Sequence, residues 1–283
     1  MKDEKLHKVL ARSGTGSRRE MERWIAAGRV QINGEVATLG DRVTAKDRVV
    51  VDGREVKLVF DREAPKRILL YNKPIGEVCT RNDPEGRATV FDHLPPLRDG
   101  RWIAVGRLDI NTSGLLIFTT DGELANTLMH PSANIDREYA VRVLGEVSDA
   151  TLETLKKGVL LDDGMAKFTD VQYFDGEGAN KWYHCVVMEG RNREVRRLWE
   201  SQELKVSRLK RVRYGPVFLP SDIRAGTWKE MTPKEVSELS KMFGLSGAKG
   251  RKLTVAEEEQ MARRYKRQKT RRSDDRVRQN HEE

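Results

Sequence analysis

The sequence predicts an α+β fold in two parts: a small helix-helix-hairpin module, then a larger body built on a mixed, largely antiparallel sheet. Three observations predict it. Two short amphipathic helices precede a tight-turn hairpin within the first 36 residues, and apolar segments of strand length recur from residue 68 onward. The strands are separated by short helices without the regular βαβ alternation of a parallel sheet.

In EKLHKVLARSG, Leu6, Val9 and Leu10 fall at i, i+3 and i+4, the spacing of one apolar helix face, and Gly14 and Gly16 end the helix. Ser17 and Glu20 form an S-x-x-E capping box for a second helix that buries Met21, Trp24 and Ile25 and stops at Gly28. RVQINGEVA then reads as a hairpin turning at Asn33-Gly34, with Val30 and Ile32 on one face. These elements assign residues 1–60 to the first module; the charged, Pro65-containing stretch at 61–66 is read as a linker. The body, residues 67–245, opens with an apolar strand at 68–71 broken by Lys73-Pro74 and Gly76. Downstream, Asp109 lies in a polar, glycine-flanked loop between an apolar segment at 102–105 and a strand at 115–119. A side chain held between two core elements is well placed for catalysis. Taken alone, however, an aspartate in such a loop reads more readily as a turn-former. Tyr139, Val141 and Val143 alternate onto one strand face. In EGRNREVRRLWES, Val195, Leu198 and Trp199 form an apolar helix stripe, and Arg193, Arg196 and Arg197 a basic one. Residues 246–283 lack apolar periodicity and are read as a basic, disordered tail.

Charge is loaded at the two ends. The net +9 divides into 13 basic and 9 acidic residues in 1–60, 12 and 7 in 249–283, and 28 of each between. A neutral body with cationic attachments suits a polyanion held through its phosphates. Arg18 and Arg19 sharpen this, because they stand in the first turn of the second helix, where the macrodipole disfavours cations unless an anion is to be bound. Two cysteines, Cys79 and Cys185, form neither a disulfide framework nor a CxxC pair, and the five histidines make no metal-ligand pairing with them. No GxGxxG occurs. No cofactor-binding or metal-binding signal is therefore read in the sequence. The amino terminus has no signal-peptide core, and no run approaches the roughly 20 apolar residues that span a bilayer, so a cytoplasmic location is expected.

KVLARSGTGSRREMERWIAAGRVQINGEV resembles the S4 RNA-binding domain. Gly106-Arg107-Leu108-Asp109, followed by Thr112 and Gly114, resembles the G-R-L-D-x-x-T-x-G motif of the RsuA-type pseudouridine synthases. REYAV, from Arg137, is similar to the family's second motif and EGRNREVRRLWES to its third. The resemblance spans roughly residues 3–245. It implies the family's catalytic domain, with Asp109 as the essential carboxylate, Tyr139 packing against the target base, and Arg196, after Val195, pairing with Asp109. On this reading, Arg196→Ala costs far more activity than Arg211→Ala, because it also strands a buried charge.

The family's chemistry breaks the bond from C1′ to N1, turns the uracil and joins C1′ to C5. It needs no redox or group-transfer cofactor. Asp109 acts either as nucleophile at C1′ or as the base that removes a C2′ proton. The target nucleotide has to be flipped out, with Arg107 as the candidate to fill the gap. Arg18, Arg19, Arg29, Arg191 and Arg193 complete the candidate RNA contacts. RNDPEGRATVFDHLP and MEGRNREVRRLWE resemble the branch that acts on large-subunit ribosomal RNA. Small-subunit ribosomal RNA, transfer RNA, or a non-catalytic role in ribosome assembly are the alternatives, and a monomer is expected.

Replacing both Arg18 and Arg19 by alanine is expected to weaken RNA binding and make its salt dependence shallower by about 2 in log-log slope. Filter binding across a salt series checks this; an unchanged slope contradicts it.

Overall fold

The first module folds as its local signals dictate. The computed structural model of the chain describes residues 3–60, 66–97 and 100–245. The module contains β1 (Glu4–Lys5), α1 (Leu6–Arg12), α2 (Arg18–Ala26), β2 (Val30–Ile32), β3 (Glu35–Val36), β4 (Arg42–Val43), β5 (Val49–Val51) and β6 (Arg54–Glu55). The capping box is complete: the Ser17 side chain accepts from Glu20 N, and the Glu20 carboxylate accepts from Ser17 N. Such a cap stabilises a helix by about 1 kcal/mol. Asn33 (φ 53°) and Gly34 (φ 95°) both adopt positive φ, as the two-residue turn between β2 and β3 requires. Leu6, Val9, Leu10, Met21, Ile25 and Val30 close a separate small core. Of the expected linker only Lys66 is described, and the expected tail lies outside the described residues.

The body comprises β7 (Ile68–Lys73), β8 (Ile103–Val105), β9 (Ser113–Thr119), α3 (Gly122–Met129), β10 (Arg137–Leu144), α4 (Asp149–Lys157), β11 (Val159–Leu161), β12 (Gly164–Ala166), β13 (Asp170–Asp175), β14 (Asn180–Val187), α5 (Glu194–Glu200), β15 (Lys205–Tyr214), β16 (Val217–Phe218), β17 (Trp228–Glu230) and α6 (Pro233–Met242). Nine strands make one sheet in the order β13-β14-β10-β15-β9-β7-β17, with β16 beside β15 and β8 beside β9. Every pairing in it is antiparallel except β15 with β9. The predicted mixed, largely antiparallel sheet is therefore observed. Among the described residues no helix is long and apolar enough to cross a membrane.

Alternation divides the sheet's side chains between two cores. Leu69, Tyr71, Leu116, Phe118, Tyr139, Val141, Val143, Tyr183 and Cys185 point to one face, with Leu155 of α4 and Val195, Leu198 and Trp199 of α5 against them. On the opposite face, Ile68, Leu70, Leu115 and Ile117 meet Leu124 and Leu128 of α3 and Val236 and Leu239 of α6. The β7-β9 half is thus covered on both faces. No member of the second core comes from β10, β13 or β14.

The parallel contact between β9 and β15 is closer than a side chain permits. A Cβ on Gly114 (φ +103°) would overlap the Arg211 carbonyl oxygen and come within 2.8 Å of its nitrogen. Glycine is therefore demanded twice, by conformation and by approach. Gly114→Ala is expected to cost more than about 3 kcal/mol through strain and overpacking. Urea denaturation measures it, and wild-type stability would refute the constraint.

Candidate active site

The site is assembled where three strands meet side by side. Tyr139 of β10 lies opposite Arg211 of β15, which lies opposite Gly114 of β9. The Asp109 loop runs directly into β9. Leu108, Tyr139 and Val195, one from each of the three motifs, all belong to the same core cluster. Segments far apart in sequence are thus joined under one loop.

That loop is held by its backbone. Lys73, at the end of β7, is fully buried, and its ammonium donates to the carbonyls of Pro74 (2.9 Å), Asp109 (3.2 Å) and Thr112 (3.0 Å). Burial lowers its pKa, while the Glu77 and Asp109 carboxylates oppose that shift. Three carbonyl dipoles use all three ammonium donors. The Cys79 thiol clasps Leu108, donating to its carbonyl (3.2 Å) and accepting from its N–H (3.4 Å). Burial raises the Cys79 pKa, keeping the neutral thiol that can do both. Thr112 N–H closes a turn on the Asp109 carbonyl at 3.0 Å, and Gly76 N–H bonds the Ile110 carbonyl at 2.8 Å.

The Asp109 side chain takes no part in this scaffolding. It is half-buried, and among the described residues its carboxylate accepts no hydrogen bond and forms no ion pair. Arg196, expected to pair with it, does otherwise. The buried guanidinium donates to the carbonyls of Val206 and Asn111, each at 2.9 Å, and acts on Asp109 through its field. Burial pulls the Arg196 pKa down, the neighbouring Arg193 adds to that, and the Asp109 charge works against both. The arginine therefore positions the loop at Asn111 and leaves the carboxylate unbonded.

The remaining predicted residues separate by environment. Tyr139 is 9% exposed, with its ring in the core beneath the loop. Arg107, Arg18 and Arg19 are exposed and have no hydrogen bond or ion pair among the described residues. Arg193 is not on the helix: it is the left-handed residue (φ 48°) that precedes α5, and it reaches only Glu200 at 3.4 Å. Arg197 forks onto both carboxylate oxygens of Asp163 at 2.8 Å. The predicted basic stripe is thus three separate environments. Two candidate RNA contacts are committed elsewhere. Arg29 binds Asp52 with two nitrogens and stacks on Trp24 at 4.3 Å. Arg191 donates to Asp163 and to the carbonyls of Gly164 and Met165, anchoring the β11-β12 hairpin.

Two residues of the site went unread in the sequence. Lys73 registered only as a strand breaker, although a lysine ending the apolar run ILLYN is itself a signal. Arg211 is 2% exposed, deeper than Arg196 at 6%, with Nε donating to the Leu115 carbonyl at 2.8 Å. The expectation that only Arg196 strands a buried charge is thereby corrected. Thr112 Oγ1, Arg196 Nε and Arg211 Nη2 are buried without partners. Each such atom costs about 1–3 kcal/mol, a cost that functional sites characteristically carry. Among the described residues no group of three His, Cys, Asp or Glu is arranged to hold a metal.

Residues 67–201 match the family described as RNA pseudouridylate synthase, and residues 4–49 match the S4 domain. A Pseudomonas aeruginosa protein named ribosomal large subunit pseudouridine synthase B is 60% identical over 266 residues, covering 94% of this chain and 69% of that one. The Escherichia coli K12 protein of the same name is 55% identical over 254 residues, covering 89% and 87%. A crystal structure of a pseudouridylate synthase superposes with a TM-score of 0.57 at 24% identity, covering 83% of this chain and 99% of that one, and shows the shared fold.

Truncating either buried arginine to alanine is expected to lower stability by about 2–4 kcal/mol, Arg211→Ala at least as much as Arg196→Ala, through a cavity and stranded carbonyls. Chemical denaturation of both variants tests the order; an Arg211→Ala protein as stable as wild type contradicts it.

Proposed function

The chain belongs to the RNA pseudouridine synthase family, as an S4-domain isomerase of RNA, and on that premise we propose that it converts a uridine of large-subunit (23S) ribosomal RNA to pseudouridine. The observation that carries the reading is the Asp109 carboxylate, unbonded on a loop whose backbone is tied down by Lys73, Cys79 and Arg196. A group held this way loses little entropy on reaching the reacting atoms. The large-subunit substrate rests on relatives so named at 54–60% identity.

Asp109 acts at the ribose of a flipped uridine. Attack at C1′ displaces uracil from N1 as the anion; removal of the C2′ proton reaches the same bond cleavage through a glycal. The uracil then turns and C5 bonds to C1′, displacing the carboxylate in the first route and, in the second, with the carboxylic acid returning its proton to C2′; C5 loses its proton and N1 gains one, so atoms balance with no co-reactant. Tyr139 faces the base, and Arg196 positions the loop while its charge steadies the carboxylate. Arg107, exposed two residues before Asp109, fills the gap left by the flipped nucleotide. Arg18, Arg19 and Arg193 are retained as RNA contacts, whereas Arg29 and Arg191 brace the protein. We take residues 1–60 as the RNA-binding domain and 67–245 as the catalytic domain, acting as a cytoplasmic monomer.

Asp109→Asn is expected to abolish pseudouridine formation while leaving RNA affinity within about twofold, because the amide is isosteric but neither nucleophile nor base. Tritium release from labelled large-subunit RNA reads the first and filter binding the second; substantial turnover by the variant removes Asp109 from this role. Mapping pseudouridines in total RNA with and without the gene identifies the uridine.

A further inference from the structure

The half of the sheet formed by β13, β14, β10 and the start of β15 has one face in the core and one outside it. What stands on the outer face follows from the register. Arg142 of β10 lies directly opposite Trp182 of β14 on one side and Arg208 of β15 on the other. The next row holds His184, Ala140 and Lys210, and the row beyond Arg142 pairs Leu144 with Lys205.

A bulge makes this arrangement. The register slips between Arg142 and Val143, so that Ser207 has no opposite number. In regular pairing, with Ser207 taking its place in the ladder, Lys205 and Arg208 would point to opposite faces. With it, Lys205, Arg208 and Lys210 form one outward column, while Val206 and Leu209 both enter the core. Ser207 also pins Arg142, accepting from its Nε at 2.9 Å and donating to its carbonyl at 3.1 Å.

Two arginines facing each other across neighbouring strands repel, an arrangement that destabilises a sheet. Neither Arg142 nor Arg208 has a carboxylate partner among the described residues. The carboxylates of this face stand at its margins: Glu138 is held by His184 and Arg213, each at 2.8 Å, Asp170 by the Gln172 amide at 3.0 Å, and Asp175, on edge strand β13, by Gly176 N–H at 2.7 Å. The cations cluster on β10 and β15, with the acidic residues of β13 along the far edge.

We propose that this face is a second RNA-binding surface, on the side of the sheet away from Asp109, which takes RNA outside the target loop. Phosphates sit between Arg142 and Arg208 and relieve their repulsion, and Trp182 beside them offers a ring for an unpaired base. The chain's own residues 249–283, with 12 basic and 7 acidic side chains, carry the wrong sign to occupy it. The choice of RNA over an acidic polypeptide rests on the function proposed above and on the adjoining indole.

Arg208→Glu separates this role from a structural one, because it replaces the repulsive pair by an attractive one. The variant is expected to melt at or above the wild-type temperature. It should bind protein-free large-subunit ribosomal RNA roughly five- to tenfold more weakly at 100 mM salt, with a log-log salt slope shallower by about 1–2. Arg208→Lys should retain wild-type binding, and Trp182→Ala should weaken it at unchanged slope. Wild-type affinity and slope in Arg208→Glu overturn the proposal and leave the face to an acidic polypeptide; a lowered melting temperature with unchanged binding overturns it in favour of a structural role. If the wild-type protein forms no pseudouridine in this RNA, the function fails separately, since the binding comparison does not depend on turnover.

Discussion

The buried ammonium of Lys73 is the interaction on which the site depends. Taking a lysine fully out of water is costly, and burial lowers its pKa accordingly. The compensation is geometric: three carbonyls, from Pro74, Asp109 and Thr112, converge on it. The cation thereby joins the end of β7 to both ends of the Asp109 turn. Once this is satisfied, the backbone of the loop no longer needs the Asp109 side chain to cap or close anything. An aspartate in a loop ordinarily uses its carboxylate on its own backbone. Here a lysine elsewhere takes that part, and the carboxylate is left unbonded among the described residues.

The same division of labour explains the nearby cations. Arg196 approaches from α5 and binds the Asn111 and Val206 carbonyls rather than the carboxylate. A direct ion pair would be the stronger isolated contact, but it would occupy the carboxylate that this arrangement leaves unbonded. Cys79 and Gly114 complete the frame, the thiol by fixing Leu108 and the glycine by letting β9 press against β15. Residues that seem unrelated in sequence are thus parts of one constraint, a rigid backbone under a free side chain.

What could be read in the sequence was what local physics decides. The capping box at Ser17 and the Asn33-Gly34 turn need only neighbouring residues, and both formed as expected. The strand on either side of Asp109 followed from apolar runs, and the inward face of Tyr139 from simple alternation. What could not be read was which cation is buried. Arg193, Arg196 and Arg197 look alike on a helical wheel. The helix begins only at Glu194, leaving Arg193 outside it, Arg196 facing the core, and Arg197 claimed by Asp163 from a distant hairpin. Lys73 and Arg211 were hidden for the same reason, because their partners are carbonyls brought by sheet pairing, and carbonyls have no letter in a sequence.

Strand β15 shows how far one residue of register reaches. Written as a string, KVSRLKRVRY has basic and apolar residues in no clean alternation. The bulge at Ser207 turns the string into two ordered columns, with Val206, Leu209 and Arg211 inward and Lys205, Arg208 and Lys210 outward. The inward column ends under the Asp109 loop, where Arg211 faces Tyr139 and Gly114. The outward column meets Arg142 in a repulsive contact that packing alone gives no reason to keep. Pairing Ser207 in regular register instead of bulging it out would send Lys205 toward the core and Val206 to the surface. Core filling at one end and charge segregation at the other therefore hang on the same irregularity, so selection on either is enough to preserve both.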